Sequence, residues 1–119
     1  MLPAQHRLRD RRDFSLAVRG ARSGNRLMVV HATLPAGRQG LPPRVGLAVS
    51  RAVGNAVVRN RTKRILRARV ATLLPELPDG FDLVIRAQPA LAGAGSQELT
   101  EALHASVRGA VRATQRQVR

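Results

Sequence analysis

The chain contains no cysteine, tryptophan or tyrosine, only two phenylalanines, and no acidic residue between Asp13 and Glu76. Each absence closes off a class of protein. Without cysteine there is neither a disulfide framework nor a thiolate metal site. With so few aromatics the chain lacks the anchors of a membrane-surface helix, and no apolar run approaches the roughly 18 residues of a membrane span. The first stretch, MLPAQHRLRDRR, has no apolar core of the kind a secretory signal carries. A soluble cytoplasmic protein with no membrane partner is expected. The missing acids matter most, because they leave the positive charge unanswered.

That charge is large. Over 119 residues, 21 basic side chains stand against 7 acidic ones, a formal net charge of +14, and every basic residue except Lys63 is arginine. Self-repulsion on this scale disfavours the compact state, so a neutralising partner is expected. Arginine forks two hydrogen bonds onto phosphate and stacks on bases, which suits nucleic acid. The length fits one domain, residues 1–119, with a modest core.

The periodicities predict helix, two strands, long helix, strand, helix: an α+β fold with a small sheet flanked by helices. Residues 1–9 read as a basic, loosely ordered arm. Asp10 caps a short helix to Val18, with Phe14, Ala17 and Val18 on one side. Arg26–Leu34 reads as a strand, Pro35–Pro43 as a turn-forming loop, and Arg44–Ser50 as an antiparallel neighbour. Asn55 caps a long helix to about Leu74, stopped by Pro75. Phe81–Arg86 is the third strand. Ser96 is the expected N-cap of a last helix whose stripe is Leu99, Ala102, Leu103, Val107, Ala110 and Val111. Its basic tail, residues 115–119, is expected to fray. Capping is the simplest role for Asp10, Asp13, Asp79 and Asp82.

The long helix carries the most information. The stretch GNAVVRNRTKRILRAR holds five arginines and the sole lysine, and Arg51 just ahead of it makes six. At about 100° per residue, Val58, Thr62, Ile65, Leu66, Val70 and Leu73 make one core-facing stripe. Asn60, Lys63, Arg64 and Arg67 fall opposite, with Arg59 and Arg61 at the margins. Like charges spaced i, i+4 destabilise a helix by a few tenths of a kcal/mol per pair. With no acid interleaved, a polyanionic ligand accounts for that cost better than solvent does.

RVGLAVSRAVGNAVVRNRTKRILRA resembles the signature of the protein subunit of bacterial ribonuclease P, in which a strand ending in V-S leads through a G-N-A-V turn into an R-N-R-x-K-R helix. RLRDRRDF, RLMVVH and GFDLVIRAQPA appear around it in family order, so the resemblance covers nearly the whole chain. It implies a three- or four-stranded sheet in the order α-β-β-(β)-α-β-α, ribosomal protein S5 domain 2-like, with a left-handed crossover around the basic helix. A fourth strand is expected in the loop Gly37–Pro43 or in a division of the first long strand.

The resemblance also implies a job: helping a catalytic RNA remove the 5′ leader of precursor tRNA, with Mg²⁺ bound mainly by that RNA and no catalytic or metal-ligating residue on the protein. Arg51, Arg59, Asn60, Arg61, Lys63, Arg64 and Arg67 would contact the RNA subunit; Gly54 would allow the turn into the helix and Asn55 would cap it. A cleft between the first helix and the sheet would hold the single-stranded leader, through Arg9, Arg11, Arg12, Phe14, Val18 and His31. Val18 stands where the family often has an aromatic residue, and His31 where it can have a tyrosine. Phe14 and His31 are therefore the stacking candidates, with Phe14 as plain core the competing reading.

The competing functions are a ribosomal-type or general RNA chaperone, a DNA-binding regulator and an autonomous nuclease. Strand RVGLAVS entering the helix does not suit a helix-turn-helix regulator. Scattered acids, and His6, His31 and His104 in three separate elements, do not suit a metal-dependent nuclease. No small-molecule substrate is expected.

Overall fold

The computed structural model describes residues 2–117. Helix α1 spans Arg11–Val18, strand β1 Ala21–Gly24, β2 Met28–Thr33 and β3 Arg44–Ala48; α2 spans Ala56–Leu73, β4 Asp82–Ala87 and α3 Ser96–Gln117. The four strands lie in the order β1-β2-β4-β3. The first two pairings are antiparallel, β2 with β1 and with β4, whereas β3 runs parallel to β4.

The sheet corrects two sequence expectations. The fourth strand is β1, residues 21–24, ahead of the first predicted strand and not in the Gly37–Pro43 loop. It forms because Asn25 turns the chain: its Oδ1 accepts from the N–H groups of Leu27 (2.9 Å) and Met28 (3.2 Å), and its own N–H returns to the Met28 carbonyl at 2.9 Å. β3 is not an antiparallel neighbour of β2. Both edges of β2 are taken, by β1 and β4, so β3 pairs beyond β4, with Arg44 opposite Asp82 and Ala48 opposite Arg86. A parallel pair needs a long crossover, and α2 is that crossover.

The sheet alternates cleanly. Met28, Val30, Ala32, Val45, Leu83, Ile85 and Ala87 face the main core, under Leu66, Val70 and Leu73 of α2 and Leu99, Leu103, Val107 and Ala110 of α3. The other face carries a smaller cluster, where Leu8, Ala17 and Val84 are buried with Phe14, Val18 and Ala48 packed alongside. Helix α1 therefore covers part of the face that α2 and α3 leave free. Asp10 caps α1 as expected, accepting from the N–H groups of Arg12 at 2.9 Å and Asp13 at 3.3 Å.

Both ends are better fixed than their composition suggests. In the arm, Ala4–His6 forms a 3-10 turn and Leu2 and Leu8 are buried. Arg7 pairs with Val45, and the Leu8 N–H reaches the Val45 carbonyl at 3.1 Å, so the arm lies along the outer edge of β3. α3 stays helical through residues 115–117; residues 118 and 119, also expected to fray, lie outside the described residues. Ser96 opens α3 from inside the helix, and its hydroxyl accepts from Arg69 Nη2 at 2.8 Å, tying α3 to α2.

Candidate nucleic-acid interface

The entry to α2 is built by two residues. Asn55 Oδ1 accepts from the Val58 N–H at 3.0 Å. At Gly54 a Cβ would fall 2.8 Å from Val58 Cβ, so only glycine lets the chain pass that close to the first helical turn. Beyond this turn Thr62, Leu66, Val70 and Leu73 are buried, and the Thr62 hydroxyl is satisfied by the Val58 carbonyl at 2.8 Å. The buried stripe is narrower than predicted: Val58 is half-buried and Ile65 is exposed.

The opposite side of α2 is cationic. Asn60, Arg61 and Arg64 are exposed, Arg59, Lys63 and Arg67 are half-buried along one flank, and Arg51 stands exposed on the 3-10 turn Arg51–Val53. Among the described residues the ion pairs are Arg26–Glu98, Arg44–Asp13 and Arg44–Asp82, and none involves this face. Its charge is therefore uncompensated from within the chain. Arg69, on the other flank, is engaged by Ser96 and does not join it.

A cleft of about 430 Å³ opens beside this face. Its floor is apolar, with Leu2, Leu8, Val45 and Leu47, and its rim carries Lys63, Arg64 and Arg67 from α2 with Arg7 and Arg9 from the arm. Arg9, expected beside α1 in a leader cleft, thus belongs with the α2 cations. Arg11 and Arg12 stand exposed on the first turn of α1 and do not line that cleft.

The predicted stacking groups fare differently. Phe14 is half-buried, with its ring laid against β3 so closely that a Cβ at Gly46 would fall 2.6 Å from Cε2. Val18 is half-buried in the same small cluster. His31 is only 2% exposed, which removes it as a stacking platform. Neither of its ring nitrogens has a hydrogen-bond partner. Burial pushes the imidazole pKa down, and the Arg86 and Arg22 guanidiniums push it further; the nearby Val18 backbone opposes this without forming a hydrogen bond.

Arg22 and Arg86 are exposed on the sheet face that α1 leaves open, and sequence reasoning missed both. The signal for Arg86 was the two-residue alternation of β4, which places it on the same side as Asp82 and Val84. Asp13 and Asp82 were likewise misread as caps. Both hold Arg44, which forks onto Asp82 at 2.8 and 2.7 Å and reaches Asp13 at 3.3 Å. Among the described residues no three His, Asp or Glu side chains converge to hold a metal ion, and no helix is long and apolar enough to cross a membrane.

The Ribonuclease P family profile matches residues 2–111. The ribonuclease P protein component of Kocuria rhizophila is 49% identical over 113 residues, covering 94% of this chain and 97% of that one. The Rhodococcus opacus component is 48% identical, covering 90% of each. Among solved structures, the Thermotoga maritima RNase P protein in complex with 1-(4-fluorophenyl)-2-thiourea superposes with a TM-score of 0.71 at 31% identity, over 83% of this chain and 94% of that one. A Staphylococcus aureus RNase P protein mutant reaches 0.77 at 24% identity, over 87% and 86%, a likeness of fold.

Proposed function

We propose, from the premise that the chain belongs to the ribonuclease P protein family, that its α2 face docks onto the catalytic RNA while the sheet face beside α1 holds the leader of precursor tRNA. Family membership makes the chain a subunit of an endoribonuclease acting at the tRNA 5′ end, and gives it an RNA partner. The observation that carries the docking surface is the unpaired row Arg61, Lys63, Arg64 and Arg67, set on a helix whose back is locked into the core.

Arg51, Arg59 and Asn60 extend this surface, and Arg7 and Arg9 close the cleft beside it. On the other side of the sheet, Arg11, Arg12, Arg22 and Arg86 supply phosphate contacts around Phe14. Grip on the leader is then mainly electrostatic, because His31 is buried and one aromatic ring remains. Among the described residues no three carboxylate or imidazole groups converge, Asp10 caps α1, and Asp13 and Asp82 are committed to Arg44, a donor set that does not fit a protein-held Mg²⁺. We assign Mg²⁺ to the RNA.

The test is affinity for an in vitro transcript of a bacterial ribonuclease P RNA across a salt series. Arg61→Ala/Arg64→Ala is expected to weaken binding and to lower the slope of log K against log salt by about 2, roughly one unit for each phosphate that is no longer neutralised. An unchanged slope would mean that these side chains are merely solvated.

A further inference from the structure

A second concentration of charge lies on α3. His104, Arg108, Arg112 and Arg116 recur every fourth residue, which lines them up along one side of the helix. The three arginines are exposed, and none enters an ion pair among the described residues. Arg108 makes only a 3.3 Å bond to the His104 carbonyl of its own helix. The helix dipole favours Arg116, in the last turn, but its influence fades within that turn, and Arg108 and Arg112 stand further back.

His104, Arg108 and Arg112 rim a groove of about 300 Å³ where the end of α2 meets α3. Its walls are apolar, with Leu73, Leu77, Pro78, Val107 and Val111, and Glu76, in the 3-10 turn Leu74–Glu76 that follows α2, joins the same lining. The groove shares no lining residue with the cleft beside the α2 face. Four residues of helix separate Arg108 from Arg112 by about 6 Å along the axis, comparable with the distance between successive phosphates of an extended strand. Glu76 decides between acidic partners. Its carboxylate repels the carboxylates of an acidic peptide and the phosphates of RNA alike, but it accepts a hydrogen bond from the amino group of a base, which an acidic side chain cannot offer.

We propose that this groove is a second RNA-binding site, taking one unpaired amino-bearing base (cytosine, adenine or guanine). The base lies against Leu77 and Val111 with its amino group on Glu76, and the phosphates on either side of it sit on Arg108 and Arg112. The proposal rests on the reading of the chain as an RNA-binding subunit, and the experiment separates the two.

Hydroxyl-radical footprinting of a bacterial ribonuclease P RNA transcript is run with the full-length protein, with Arg108→Ala/Arg112→Ala and with Arg61→Ala/Arg64→Ala, all four changes being at exposed positions. The α3 variant is expected to bind about tenfold more weakly, with a salt slope shallower by about 1.5. It should lose protection of a segment that the α2 variant keeps, centred on an unpaired C, A or G. Loss of protection in the α2 variant alone would overturn the second site and leave the first standing. Footprints unchanged in both variants would overturn both sites, and no protection by the parent protein itself would overturn the RNA-binding reading as well. A lost segment centred on unpaired uridine would contradict the role given to Glu76.

Discussion

Arg44 and Asp82 face each other across the parallel pair β3–β4, joined by two hydrogen bonds of 2.8 and 2.7 Å, with Asp82 fully buried. The bidentate fork holds the guanidinium protonated, raising its pKa above the ordinary arginine value despite partial burial. The same group reaches Asp13 of α1 at 3.3 Å, so one arginine ties the last strand pair to the helix on the far face. In a chain so short of acid, two of seven carboxylates are committed to one internal cation.

Breaking this pair is expected to be costly. Arg44→Ala leaves the Asp82 carboxylate buried and unpaired, a loss of about 3–5 kcal/mol. Arg44→Met with Asp82→Leu, which removes both charges, should recover most of that. Urea unfolding of the parent protein and the two variants checks it; equal stability of Arg44→Ala and the parent would mean that the pair contributes little.

His31 makes stability depend on pH. Its folded pKa lies below the unfolded value of 6.5, because burial and the Arg86 and Arg22 charges disfavour the imidazolium. Below about pH 6.5 the unfolded chain binds the proton more readily, so its contribution is full above that pH and is lost on acidification towards the folded pKa. The slope from this one group is at most about 1.4 kcal/mol per pH unit. His31→Leu should flatten the pH 5–7 stability profile, and a profile unchanged by that substitution would exclude His31 as its source.

Leu66 of α2 is fully hidden from water in the main core, in one cluster with the inward side chains of the sheet. Leu66→Ala is expected to cost about 2–5 kcal/mol and to weaken RNA binding only in proportion to the unfolded fraction. Arg64→Ala should do the reverse, leaving the melting temperature in place while reducing affinity. Thermal melts and binding isotherms on the two variants separate support from contact.

Local interactions made much of this legible in the sequence. The Asn55 cap, the run of α2, the Asp10 cap and the apolar stripe of α3 each follow from residues within one or two turns of one another. What could not be read was set at a distance. β1, with the sequence ARSG, contains no β-branched or aromatic residue and is held by the Asn25 turn, by β2 and by α3, where Gly109 leaves no room for a Cβ against Ser23. The parallel pairing of β3 with β4 depends on which strand edges are already occupied. The arm reads as loose because its anchors, Leu2 and Leu8, are isolated by the five residues PAQHR and find their apolar partners only on the distant strand β3. At the site, the cationic face was plain from its single sign, whereas the burial of His31 and the recruitment of Asp13 by Arg44 are tertiary facts.

In the function proposed above, this protein assists an RNA enzyme through the exposed face of α2. The most direct measurement is the rate of 5′-leader removal from precursor tRNA by a bacterial ribonuclease P RNA at low Mg²⁺, alone, with the parent chain, and with Arg61→Ala/Arg64→Ala. A marked gain in kcat/KM with the parent chain that is largely abolished in the variant is the predicted result. No gain with the parent chain, or a gain that the variant keeps in full, would contradict that claim.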